Sequence, residues 1–288
     1  MKTIGWIIAV LLVLAAMVAP AAAAAGDDAA PLPDWLNDRG TGLPTSLFGT
    51  YIRKGELLVY PFYEYETNNA EEYHPSELGY TGDEDFLGKF QSHEFDLFLS
   101  YAPTGRLAFE LEAQLYTTAH FQKSSLDPSA VPARIDESGL GEIESQIRYR
   151  LGDETARRPE FFSYLEIAYP FQRRKVLIGV SEWAGELGVG AIKGFSWGTL
   201  TARWGLAYED KNFKGGEFAL EYLKRISPRW RAVVALEGED EDLALITEAQ
   251  YFITPRIFLK INSGFGLTQK VPDFAPEIGL MMNFDAQR

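Results

Sequence analysis

The stretch RLAFELEAQLYTTAHF, residues 106–121, decides the fold. Its odd positions are Leu107, Phe109, Leu111, Ala113, Leu115, Thr117, Ala119 and Phe121. Its even positions are Arg106, Ala108, Glu110, Glu112, Gln114, Tyr116, Thr118 and His120. Side chains alternate across a strand, so this period of two predicts one oily face and one charged face. Strands in soluble proteins usually run to about 5–6 residues. A two-faced strand of this length predicts a wall between oil and water.

The same pattern recurs along the chain. Phe95, Leu97, Leu99 and Tyr101 oppose Glu94, Asp96 and Ser100; Ile143, Ile147, Tyr149 and Leu151 oppose Glu142, Glu144, Gln146, Arg148 and Arg150. Phe161, Leu165, Ile167 and Tyr169 oppose Glu166, and Trp204, Leu206 and Tyr208 oppose Arg203. Trp230, Val234 and Leu236 oppose Arg231, Leu259 and Ile261 oppose Lys260, and Ile278, Leu280 and Phe284 oppose Glu277. Helical period fits none of these segments as well.

The fold class predicted is all-β: a closed antiparallel transmembrane β-barrel of about 12 strands, with 10–14 compatible with the pattern. Closure follows because an open edge in hydrocarbon leaves backbone amides unpaired. Short joins such as APTGR, SWG, SPR and TPR alternate with longer ones at 67–89 and 122–138. Short turns on one side and long loops on the other is the layout of an outer-membrane barrel. Loops after the first, third and ninth strands are expected outside the cell. Tyr101, Tyr149, Phe161, Trp230, Tyr251 and Phe284 fall at short-turn ends; Phe121, Phe171, Tyr208, Phe218 and Phe265 fall near loop ends, as two aromatic girdles require. The alternative is a secreted soluble sandwich or lipocalin-like barrel with the oily face inward.

The chain start reads MKTIGWIIAVLLVLAAMVAPAAAAAGDD. One lysine, an apolar run and a small-residue tract predict a signal peptide over 1–25, the alternative being an uncleaved anchor. An irregular segment rich in Pro, Gly and Asp follows over 26–54. It is expected either as a periplasmic tail or folded into the lumen. The barrel is placed at 55–284 and a tail at 285–288. Net charge is −14 over 288 residues, and loss of Lys2 with the signal makes it −15. Such a balance excludes nucleic-acid binding. Cysteine is absent, which excludes disulfides, thiolate metal sites and a cysteine nucleophile.

SGLGEIESQIRYRL at 138–151, the strand ending AYPF and the closing APEIGLMMNF resemble the MetA-pathway of phenol degradation family and related outer-membrane β-barrel transporter-like proteins. In that family a Gly-Leu-Gly-Asp-like turn opens a strand ending in Lys/Arg-Tyr-Arg. Here the turn is Gly139, Leu140, Gly141 with Glu142 for Asp, and Pro170, Phe171, Gln172 replace a Pro-Thr-Gly turn. The resemblance covers 139–284. It implies an outer-membrane protein passing small apolar or aromatic solutes, with no catalytic residues.

The residues expected to line the lumen are Glu110, Glu112, Gln114, Glu142, Glu144, Gln146, Arg148, Arg150, Glu166, Arg203, Arg231, Glu248 and Lys260. Strands three and four should lie side by side, with Glu112 near Arg148 and Glu110 near Arg150, within one register step of two residues. Inward carboxylates outnumber inward cations, among which Arg106 is counted, so the wall should be negative. Inward Gly188, Gly190, Gly264 and Gly266 point to open space. A Ser–His enzyme is disfavoured: His74 is in a loop, His93 follows Ser92 on the opposite face, and His120 meets Ser124 and Ser125 only in a loop. Carboxylate pairs such as Glu110 and Glu112 read as pore wall ahead of a glycosidase pair. The acidic loops at 71–85 and 238–242 read as solvated ahead of cation-binding. No metal or cofactor is expected. The expected partners are outer-membrane lipid and lipopolysaccharide, the barrel-assembly machinery and a small-molecule solute. Three classes follow: a passive channel, a filled-lumen structural barrel and, least supported, a barrel enzyme.

Overall fold

A computed structural model describes residues 32–209, 212–240 and 242–285. The expected signal peptide over 1–25 and the last three residues of the expected tail lie outside the described residues. Among those described, no helix is long and apolar enough to cross a membrane.

A short 3-10 turn, Asp34–Leu36, leads to a miniature hairpin of β1 (Leu43–Pro44) and β2 (Tyr51–Ile52). The wall follows in chain order: β3 (Glu56–Tyr73), β4 (Phe86–Tyr101), β5 (Leu107–Gln122), β6 (Arg134–Gly139), β7 (Ile143–Gly152), β8 (Glu160–Ala168), β9 (Ala184–Phe195), β10 (Gly198–Glu209), β11 (Asn212–Ser227), β12 (Trp230–Glu239), β13 (Asp242–Thr254), β14 (Ile257–Gly266) and β15 (Ala275–Asp285). Each strand from β3 on pairs antiparallel with the next, save that β6 and β7 both pair with β5, and β15 pairs with β3, so the sheet closes. β6 and β7 both pair with β5 and make one interrupted strand, which gives a 12-stranded barrel.

The oily face looks outward. Phe161 is 49% exposed, Leu187 60% and Trp204 53%, whereas their inward neighbours Phe162 and Ile192 are buried. A closed barrel with an exposed apolar belt and a polar interior is a structure for hydrocarbon, and it places the protein in the bacterial outer membrane. Aromatic pairs mark both rims: Trp230 and Tyr251 lie 4.8 Å apart at the short-turn end, and Tyr208 and Phe213 5.0 Å apart at the loop end.

The alternation of 106–121 does not run through. Phe95 pairs with Tyr116 and Asp96 with Gln114, so Leu115 is the extra residue of a β-bulge. Below it Phe109 and Leu111 point outward and Glu110 inward. Above it Ala119 and Phe121 are buried inward, while Tyr116 is exposed. Phe121 is therefore no girdle residue. The bulge falls where the wall leaves the bilayer: about 9–11 residues cross it, and β3, β4 and β5 hold 18, 16 and 16. Beyond the lipid no outward apolar face is needed. The inward face there packs a cap of Tyr73, Leu78, Phe121 and Val131, joined by Leu177 from the 169–183 loop.

Candidate functional site

The barrel interior holds the candidate site, and its lower half is occupied by the protein's own residues 33–55. Arg39 donates to Glu154 and to Glu160, 2.8 Å each. Asp38 accepts from the Arg225 amide at 2.8 Å and pairs with Lys224 at 3.3 Å. Ser46 donates its amide and its hydroxyl to Glu110 at 2.9 and 2.8 Å, and its carbonyl accepts from Arg203 at 2.9 Å. The Gly49 amide donates to Glu221 at 2.9 Å, and Gln250 donates to the Gly49 carbonyl at 3.1 Å.

Apolar burial adds to these bonds. Leu43 and Ile52 enter one cluster with Leu58, Tyr60, Phe62, Phe98, Phe258 and Met281, all inward wall residues. Each such side chain is worth about 1.5–3 kcal/mol when fully buried. The void left between 44–51 and Arg148, Phe162, Thr201, Arg203 and Glu221 is 20 Å³. That holds about one water. Two glycines make the fit possible. Gly49 has φ +62°, and an added Cβ would lie 2.6 Å from the Val233 methyl; a Cβ on Gly194 would overlap the Trp35 carbonyl. Gly188 and Gly190 do not border open space: the rings of Tyr164 and Phe162 lie over them. A Cβ on Gly266 would meet the Val271 and Pro272 carbonyls.

Above this plug the wall is acidic nearly all round. Glu277 pairs across strands with Glu64, and Glu64 with Glu94. Glu112 pairs with Glu144, and Glu166 with Glu186. Glu217 and Glu237 continue the belt on β11 and β12, and Glu112, Glu144, Glu166 and Glu237 are electrostatic neighbours across the lumen. Like charges directly opposite destabilise a sheet. Arg203 breaks the belt on β10, meeting Glu217 and standing 3.9 Å from Glu237; Lys260 breaks it on β14, 3.0 Å from Glu248. Buried Asp96 has an oxygen with no hydrogen-bond partner among the described residues.

The partners of the expected lining residues differ from the pairing anticipated for them. The register is slipped by four, beyond the expected margin of two: Ala108 and not Glu112 lies opposite Arg148, so Arg148 stands 3.3 Å from Glu110, and Glu112 meets Glu144 instead of an arginine. Arg148, 1% exposed, rests against Phe162 and Tyr164, with centroids 5.5 and 5.0 Å away. Arg150 binds Glu160 at 2.9 Å and the carbonyls of Thr41 and Gly42 at 3.1 and 2.6 Å. Gln146 donates to Glu166 at 2.5 Å; Gln114 accepts from the Glu142 amide at 2.8 Å and so ties down the break between β6 and β7. Arg231 lies over Phe252 at 4.8 Å, and Glu248 accepts from Gln250 at 2.6 Å. Arg106 is not a lumen residue: it is exposed and pairs with Asp153 at the short-turn rim.

Sequence reading passed over Glu64 and Glu66, because YPFYEYE mixes aromatics on both faces, and over Asp38, Arg39 and Ser46, because their segment has no period. The dense Asp, Arg and Gly content was the available signal. Each histidine has a polar partner: His74 meets Asp85, His93 the Tyr63 hydroxyl and His120 Asp136. Among the described residues no three metal-ligating side chains are grouped to hold an ion. In the cap at the long-loop end, burial would raise the Asp127 carboxyl, but hydrogen bonds from Ser129 and then Tyr73, with Lys123 nearby, outweigh it and hold it below the usual range.

No protein-family model matches the sequence, and no curated protein matches it. Solved structures do match in fold. The COG4313 outer membrane channel from Pseudomonas putida F1 is 16% identical with a TM-score of 0.59, over 81% of this chain and 97% of that one. The translocator domain of the autotransporter NalP from Neisseria meningitidis is 10% identical with a TM-score of 0.50, over 81% of this chain and 90% of that one. At these identities the likeness establishes the fold of an outer-membrane barrel.

Proposed function

We propose that the protein is a passive outer-membrane channel for small solutes, cationic ahead of neutral, closed on the periplasmic side by its own residues 33–55. The observation that carries this reading is the carboxylate belt above the plug. Cross-strand pairs such as Glu112 with Glu144 and Glu64 with Glu277 cost stability in an empty wall. They are tolerable where mobile cations occupy the space between them, as in the acidic rings of cation pores. Fold likeness to an outer membrane channel supports the same reading.

Opening then requires the plug to move. Its two-residue hairpin is held by side-chain bonds to the wall and does not join the barrel sheet. A second reading keeps small apolar or aromatic solutes, favoured by the inward rings Tyr60, Phe62, Phe162 and Tyr164, which movement of the plug would uncover. A third is a permanently filled barrel that conducts nothing.

Planar-bilayer recordings of the full chain and of a variant lacking 33–50 test the proposal. The full chain should conduct rarely, and the variant steadily with cation preference. An equally silent variant, folded by its heat-modifiable gel mobility, would overturn the channel reading.

A further inference from the structure

The 169–183 loop, YPFQRRKVLIGVSEW, carries chemistry that the lumen does not use. Tyr169 continues the outward face of β8: its hydroxyl lies 2.7 Å from that of Ser145, on the outward face of β7. Phe171 stacks on Tyr169 at 5.8 Å, and Trp183 meets it edge-on at 5.4 Å. Phe171 and Trp183 are both well exposed. These rings form a platform on the lipid side of the barrel, where β8 ends and β9 begins. Outward Leu165 and Leu187 lie below it, toward the bilayer core.

Arg173 and Arg174 complete the same groove, whose volume is 480 Å³. Among the described residues neither guanidinium has a hydrogen-bond or ion-pair partner. The loop's other charges are engaged: Lys175 donates to the Ser138 carbonyl at 2.5 Å, and Glu182 has a partner of its own. Elsewhere at this end cations are matched by acids, as in Lys123 with Asp127, Arg134 with Asp136 and Lys270 with Glu77. Two unpaired planar forks above an aromatic ledge are unusual on a chain of net charge −14.

We propose that this groove binds the phosphorylated sugar headgroup of a lipopolysaccharide molecule in the outer leaflet. Arginine takes phosphate by paired N–H bonds. Aromatic rings at the level of the headgroups pack sugar and upper acyl carbons, and basic pockets beside spanning elements select anionic lipid heads. The two arginines supply local attraction on an extracellular rim that otherwise repels such phosphates.

The test uses the purified full chain in detergent, with native mass spectrometry titrations of bisphosphorylated lipid A, dephosphorylated lipid A and inorganic phosphate. Three variants are compared: Arg173→Ala with Arg174→Ala, Trp183→Ala, and a control with Arg157→Ala and Arg158→Ala at a periplasmic turn. The first should bind bisphosphorylated lipid A roughly tenfold more weakly or worse, as loss of charge-assisted bonds requires, and the second more weakly than the unmodified chain through loss of ring packing. The control should match the unmodified chain, and dephosphorylated lipid A should bind every form weakly. Unchanged lipid A binding by the folded arginine variant would overturn the assignment. Inorganic phosphate displacing lipid A at equal concentration would also overturn it, by marking a bare anion site.

Discussion

Ser46 gives both its amide and its hydroxyl to a single carboxylate oxygen of Glu110, at 2.9 and 2.8 Å. One residue of the plug thereby satisfies one inward acid of the wall, and Arg148 stands 3.3 Å from the same oxygen. The lower lumen repeats this logic. Plug backbone and side chains neutralise or bond wall carboxylates, whereas in the upper lumen carboxylates face one another across strands.

Gly49→Ala should loosen the plug without unfolding the barrel. The φ of +62° and the Val233 methyl 2.6 Å from the new Cβ both penalise alanine, by about 1–3 kcal/mol for the backbone alone. Limited proteolysis from the periplasmic face should cut within 33–55 faster, while boiling still shifts the gel band.

Charge removal at the plug base should follow an order. Removing Glu160 leaves Arg39, Arg150 and Lys193 around one buried carboxylate, Glu154, whereas removing Arg39 leaves two matched pairs, Glu154 with Lys193 and Glu160 with Arg150. Stranding one buried partner costs about 3–5 kcal/mol. Glu160→Ala should therefore lower the temperature at which the folded band disappears by more than Arg39→Ala does. The reverse order would contradict the pairing.

The bulge at Leu115 is open to a labelling test, because the native chain has no cysteine. A cysteine at Thr118 should react on intact cells with a membrane-impermeant maleimide, and one at Ala119 should not. Unbroken alternation of 106–121 would give the opposite result.

That bulge also shows what sequence can and cannot convey. Alternation made the strands and their outward faces legible, since a strand bordering oil must repeat every two residues. Leu115 followed by Tyr116 is apolar in either phase, so nothing local marked the switch. Register was legible only to within four residues, because a slip by an even number keeps every side chain on its face; Ala108 accordingly lies opposite Arg148 where Glu112 was expected. The plug was illegible for a different reason. Part of its hold rests on the Gly49 amide, the Gly42 carbonyl and the Ser46 amide, groups that every sequence possesses.

Ion selectivity should track the upper belt. In the chain lacking 33–50, Glu112→Gln with Glu144→Gln should reduce cation preference, and Arg203→Gln should raise it. Reversal potentials in a salt gradient read both directly. An anion-selective pore would remove the belt from the conduction path.

The most direct measurement joins plug to wall reversibly. Cysteines at Ser46 and Glu110, bridged by a short reductant-cleavable bifunctional reagent, fix the segment inside the barrel of an otherwise cysteine-free chain. Single-channel current should be absent while the bridge stands, and cation-selective openings should begin when reductant is added to the same bilayer. Equal current before and after reduction would contradict the account, because solute would then pass by a route that residues 33–55 do not close.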